Sequence, residues 1–322
     1  MEPISPNGTV SVAVTIDDLF MWKGTPIPST HSPLRTATDM VGAFANHGIK
    51  GVYSFSGTAP AEENRELFKV FDRWTEAGHY VSNHTHNHAS LNWINAKKYI
   101  ADIERTEEFI HPWASQAPTK FFRYCMDMWG DTREKHEAVE EYLMRSGYLS
   151  SPLSAWFYDH AWIVPHWRAC KLADKDAIGY LKRTFVETAV DQFRRQAAAA
   201  RQMFGRDPAH IWLVHGSPIG GECIGEILDA FAAANVRFIS LEEAMLDPIY
   251  KTQPVITHKF RNQTQKWAEA RGVIMPQVPP DIVHDIDKVA HIDGETNEDI
   301  FGNVLKGLCD SVGGEFSWPG WD

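Results

Sequence analysis

The feature that most constrains this chain is the regular alternation of short β-branched or aromatic runs with longer helical patterns. Val10 to Ile16 reads as a buried strand, Thr36 to His47 as a helix stopped by Gly48, and Gly51 to Phe55 as a second strand. Ala61 to Ala77 shows Leu67, Val70, Phe71 and Trp74 on one helical face and is followed by a short strand at Tyr80 to Ser82. Helices are expected at Asn95 to Ser115, Thr132 to Ser146 and about Asp174 to Phe204, then at Gly221 to Ala234 and Leu241 to Met245. Extended segments are expected at Thr119 to Phe122, His210 to Val214 and Val236 to Ser240. Six or seven β-then-α units in series predict an α/β chain whose parallel sheet closes, or nearly closes, into a barrel. The texture changes after Asp247-Pro248. Residues 1–248 are read as the barrel. Residues 249–322, with helices expected at Asn262 to Arg271 and Asn297 to Cys309, are read as a C-terminal extension packed on it or on a partner subunit.

Charge and cysteine usage narrow the function classes. The 322 residues carry 31 basic and 42 acidic side chains, a formal net charge of −11, with no basic run of the kind that tracks a phosphate backbone. Nucleic acid and anionic membrane are therefore excluded as expected partners. A small molecule or short oligosaccharide is expected instead, with a homo-oligomer through the extension as a further expectation. No stretch reaches the roughly 18–20 apolar residues of a membrane span, and the first twenty residues have no basic-then-apolar leader pattern, so a cytoplasmic location is expected. Cys125, Cys170, Cys223 and Cys309 are scattered without C-x-x-C spacing and read as small buried hydrophobes.

The residues that carry chemistry sit at the C-terminal ends of the expected strands, where barrel active sites are built. The first strand ends in Asp17-Asp18, two adjacent carboxylates whose mutual repulsion a nearby cation relieves, although one of them could equally cap the following turn. The third runs into His84-Thr85-His86-Asn87-His88. In a helical turn residues four apart share a face, which brings His84 and His88 together and turns His86 elsewhere. Two imidazoles and one carboxylate, Asp18, make a three-ligand site with an open position, the arrangement of a catalytic zinc. Arg123 follows a further strand and needs an anion, for which Asp17 is the candidate against a surface salt bridge. His215 follows the apolar run Ile211 to Val214, where a satisfied core histidine is the bland alternative, and Asp159 could orient it.

In order along the chain these segments resemble the polysaccharide deacetylase (NodB-homology) family, carbohydrate esterase family 4. Thr15-Ile16-Asp17-Asp18 resembles its first motif, T-F-D-D, and His84-Thr85-His86-Asn87-His88 its second, H-[S/T]-x-x-H. Phe122-Arg123-Tyr124 is a reduced form of the third, Asp159-His160-Ala161-Trp162 a remnant of the fourth, and Leu213-Val214-His215 resembles the fifth, L-x-H. The resemblance covers roughly residues 10–247 and implies a distorted (β/α)7 barrel. It implies Asp17 as general base and Asp18, His84 and His88 as metal ligands. Arg123 becomes the tether of Asp17 and His215 the general acid, with Asp159 a catalytic candidate whose pairing with His215 stays open. The implied cofactor is a divalent metal, Zn2+ foremost, although Co2+, Ni2+, Mn2+ and Fe2+ also suit such donors. Leu19, Phe20 and Trp22 replace the family's open glycine loop. That departure points to a metal-dependent deacetylase or amidase for a small or short substrate. An N-acetyl-oligosaccharide, peptidoglycan or chitin deacetylase is the alternative, and a non-catalytic carbohydrate-binding barrel the third reading. Trp22, Trp93 and Trp156 near the expected rims, and Tyr124 beside the Arg123 turn, are the expected substrate contacts.

Overall fold

The computed structural model describes residues 2–6, 8–252, 255–273, 275 and 280–317. Seven parallel strands form one sheet: β1 (Val10–Asp17), β2 (Tyr53–Ser56), β3 (Tyr80–Asn83), β4 (Phe121–Phe122), β5 (Leu149–Ser150), β6 (His210–His215) and β7 (Val236–Phe238). The order is β5-β4-β3-β2-β1-β6, and β7 pairs with the start of β1. Past β5 the chain reaches β6 and curls the sheet round: Ala155 N–H donates to Ile211 O at 3.0 Å, and Leu213 N–H to Ala155 O at 3.2 Å. The result is a distorted α/β barrel with β1 at its centre. Every residue of β1 except Ser11 is buried, as a parallel strand covered on both faces requires.

Helices α1 (Pro33–Asn46), α2 (Ala59–Glu63), α3 (Phe68–Glu76), α4 (Ala96–Ala114), α5 (Arg133–Arg145), α6 (Ile163–Lys171), α7 (Lys175–Phe204), α8 (Pro218–Ala233) and α9 (Leu241–Met245) wrap the sheet. Side chains of Ser32, Asn95, Thr132, Asp174, Ser217 and Ser240 accept hydrogen bonds from their first turns, which fixes where six of them begin. The single helix expected over 61–77 is two: Asn64 is extended, its side chain accepts from Glu66 N–H, and a 3-10 turn separates α2 from α3. No helix among the described residues is long and apolar enough to cross a membrane.

Three helices follow: α10 (Gln263–Ala270), α11 (Pro280–Asp287) and α12 (Asn297–Ser311). Their apolar side chains join clusters that the strands and earlier helices began. Phe301, Val304 and Leu308 pack with Tyr99 and Phe122, and Phe260 packs with Leu153, Trp156 and Leu213. Two buried cations fasten the segment. Arg168 of α6 donates to the carbonyls of Asp287, Val289 and Glu295, and Lys266 of α10 donates to the carbonyl and carboxylate of Asp127.

Candidate active site

The C-terminal ends of β1, β3 and β6, with the turn after β4, bring Asp17, Asp18, His84, His88, Arg123 and His215 to one rim. Arg123 is completely buried. Its Nη1 donates to Asp17 Oδ1 at 2.7 Å and Thr15 Oγ1 at 2.8 Å, its Nε donates to Ser151 O, and its plane lies over Phe55. This fixes one Asp17 oxygen and leaves Oδ2 3.7 Å from His84 Nε2. Gly216 has no alternative here. A Cβ on it would stand 2.5 Å from Leu19 Cα, so β6 could not run beside the Asp17-Asp18 turn with any other residue.

Asp18 Oδ2 lies 3.1 Å from His88 Nε2 and 4.0 Å from His84 Nε2. His84 donates its Nδ1 proton to Arg123 O at 2.8 Å, which holds Nε2 toward the carboxylates, the outer support that metal-ligating imidazoles receive. His88 is buried, yet neither of its ring nitrogens makes a directed hydrogen bond to the described residues. An orphaned buried imidazole facing a carboxylate and a second imidazole is what a cation-binding donor set looks like, so these residues fit a divalent metal. Cys125 Sγ also lies near both histidines. Its thiol donates to His84 O and contacts Thr85, and burial pushes it well above its usual range, so the carboxylate set Asp18-His84-His88 is the better match. The His84–His88 segment is not the helical turn expected from the spacing. Thr85 and His88 take left-handed backbone, as does Asp18, and an irregular loop performs the convergence. Such conformations cost of order 1–3 kcal/mol each and persist where the surroundings fix them. His86 points away, between Thr58 and Glu62.

Electrostatics separates the two adjacent carboxyls. Burial, opposed by Arg123 and His215, raises Asp17 to about 6. Burial acts on Asp18 as well, but His88 and His84 outweigh it and hold that carboxyl well below the usual range. Burial lowers His84 to about 3, which keeps the ring neutral. His215 moves the other way. Its burial penalty is exceeded by the Asp159 ion pair, with Asp18 and Asp17 adding to it, and it rises to about 9. Asp159 accepts His215 Nδ1–H at 2.8 Å and its backbone N–H at 2.7 Å, and accepts Trp156 Nε1–H at 2.8 Å. Oppositely displaced acids and bases at one rim are the pattern of acid–base chemistry.

Asp17, His84, His88 and His215 form the floor of a cavity of about 540 Å³, with Asp18, Arg123 and Asp159 behind them. Trp22 and Trp156 line it, as expected. Trp22 also donates its indole proton to Asp18 Oδ2 at 2.6 Å. Tyr124 and Trp93 correct the expectation, since neither side chain reaches the cavity. Tyr124 is stacked in the core on Tyr99 and Trp129 and donates to Glu140, while Trp93 donates to Ser317 O beside Phe316. Rim position alone did not say which way these rings turn. Phe260, Phe301 and Leu305, all beyond residue 248, were not anticipated as walls.

Residues 6–141 match the family described as polysaccharide deacetylase. A curated relative, a peptidoglycan-N-acetylglucosamine deacetylase of Bacillus cereus, is 29% identical over 119 residues. The alignment covers 37% of this chain and 37% of that protein, so the chain spans little more than a third of the relative it matches. Solved structures give low-identity likenesses. One is PdaA of Bacillus subtilis, a family 4 carbohydrate esterase (14% identity, TM-score 0.48, 74% of this chain and 81% of that one). Others are a family 4 esterase of Streptomyces lividans in complex with acetate (18%, 0.45, 74% and 97%) and a family pseudoenzyme of Bacillus anthracis (12%, 0.47, 75% and 66%).

Proposed function

We propose that this protein is a metal-dependent hydrolase that cleaves the C–N bond of an N-acyl amide. One observation carries the reading: Asp17, His84, His88 and His215 face a single cavity, with the Asp18 carboxylate 3.1 Å from His88 Nε2 behind it. Asp18, His84 and His88 would hold the divalent cation, Zn2+ being the expected one. Bound there, it supplies Lewis acidity toward an amide carbonyl and a water. Asp17 takes the attacking water's proton on the oxygen that Arg123 leaves free. His215, protonated and steadied by Asp159, gives a proton to the departing nitrogen as the C–N bond breaks. An acid and an amine result. The base must be ionised and the acid protonated, so activity is expected between an acid limb at or below about 6 and an alkaline limb at or below about 9, since a bound cation offsets the Asp18 charge that helps raise His215.

The B. cereus relative's name supports an N-acetylated saccharide as the first substrate class to test. The apolar cavity walls favour a second, a small amide or cyclic imide. Acid release by metal-loaded protein from N-acetylglucosamine oligomers, aryl amides and cyclic imides, with and without a chelator, tests the reading. Release that survives complete metal removal, or no release from any of them, overturns it.

A further inference from the structure

Helix α12 has a chamber on each side. Its Glu298, Phe301 and Leu305 line the catalytic cavity, while Ile300, Asn303, Val304, Gly307 and Ser311 line a second cavity of about 660 Å³ that faces Lys23, Glu62, Glu63 and His86. Residues three and four apart share a helix face, so the helix stands as a partition with one face in each chamber. Phe301 seals the seam with the barrel rim, its ring 5.7 Å from Trp22 and 5.8 Å from His160. Across the catalytic chamber Phe260 lies 5.0 Å from the Trp156 ring. A long saccharide laid over the barrel mouth would run into α12.

The apolar walls also have a direction. Trp156 meets the His215 ring at 6.1 Å, and Trp22 spans the floor, 5.2 Å from the His215 ring and 5.3 Å from that of His88. Leu213 precedes His215 by two residues and lines the same chamber. In the amide-hydrolase reading the nitrogen leaves on the His215 side, so these rings receive the amine half of the substrate.

We infer that α12 and the Phe260 segment make this a chamber for short amides whose amine half carries an apolar ring, and that Phe301 and Phe260 set that preference. The inference rests on the hydrolase reading above. Steady-state kinetics on the metal-loaded full chain should compare N-benzylacetamide with N-acetylglucosamine and its tetramer. Calorimetric binding to Asp17→Asn should run in parallel, because it reads the ligand without turnover. The benzyl amide is expected to exceed the tetramer by about tenfold or more in kcat/KM, the scale of a lost apolar contact in a fitted pocket. Phe301→Ala should raise its KM and Kd by a similar factor and shift those for N-acetylglucosamine far less. If that change loosens α12, Leu305→Trp, which fills the chamber instead, should block the benzyl amide while thermal stability is kept. Equal or better use of the tetramer overturns the inference and leaves the hydrolase reading standing. Benzyl amide binding with no hydrolysis of any substrate counts against the hydrolase reading and supports the chamber's ligand class. No binding of the benzyl amide overturns the inference outright.

Discussion

The floor of the cavity and its walls are built on different principles. Asp17, His84, Arg123 and His215 sit at or next to the ends of buried strands and are held by directed bonds. Arg123 grips Asp17 and Ser151, Asp159 grips His215, and the Arg123 carbonyl grips His84. The walls are apolar side chains from rim loops and from the segment beyond residue 248, held by ring packing. Strand-end bonds set atomic positions to tenths of an ångström, as proton transfer needs, whereas packed rings set shape and can be exchanged. In the proposed reading the reaction is thus written in one part of the chain and the choice of substrate in another.

The largest expected effects test the floor. Asp17→Asn keeps the Arg123 hydrogen bond but cannot take a proton, and turnover should fall about 10²- to 10⁴-fold, the range for a lost general base. Bound metal, measured by elemental analysis, should stay. His84→Ala should lose metal and turnover together. A fully active Asp17→Asn protein would remove the distinction between floor and wall, because the floor would then hold no base.

The next effect tests the bond between the two regions. Lys266 and Asp127 are both buried, and Lys266 reaches from α10 to the turn that brings Asp127 to the cavity. Lys266→Met strands a buried carboxylate and should lower unfolding free energy by about 3–5 kcal/mol. Adding Asp127→Asn should restore part of the loss in chemical denaturation. If Lys266→Met alone costs nothing, the walls are not coupled to the barrel through this pair.

A pH experiment isolates the floor's own electrostatics. His215 rises from 6.5 to about 9 on folding, so its pairing with Asp159 stabilises the fold fully below about 6.5. That stabilisation is lost as pH climbs through 9. In metal-free protein, the Tm gap between wild type and Asp159→Asn should therefore narrow from pH 6 to 10. A gap that widens over that range contradicts the pairing.

The two regions also differed in how much of them the sequence disclosed. Asp17-Asp18, His84, His88, Arg123 and His215 were legible because each follows an apolar run, so a strand end could be placed and its polar residue assigned to the rim. The pairing of Asp159 with His215 was left open by the sequence, because the spacing of the two residues carries no signal and only the fold brings them to 2.8 Å. Strands β4 and β5 are two residues long and α6 contains Pro165, so periodicity had little to register there. Tyr124 and Trp93 were misplaced because a ring at a rim can turn inward to the core as readily as outward. Phe260, Phe301 and Leu305 look like ordinary apolar residues. Only the tertiary path that lays α12 over the barrel mouth makes them walls.

Trp22 belongs to both regions and gives the smallest expected effect, which is also the sharpest test of the comparison. Its indole N–H fixes Asp18 Oδ2, a floor contact, while its ring packs on Phe301, a wall contact. Trp22→Phe keeps most of the wall and removes the hydrogen bond. Losing one support of a ligating carboxylate weakens metal binding by about tenfold at the low end of such effects, so Zn2+ should exchange faster against a chelator while the KM for an aryl amide changes little. Trp22→Leu surrenders the aromatic wall as well, and KM should then rise too. If Trp22→Phe raises KM without touching metal exchange, Asp18 is held by the Gly57 N–H alone and Trp22 acts only as wall, and the boundary between the two regions moves one residue deeper into the site.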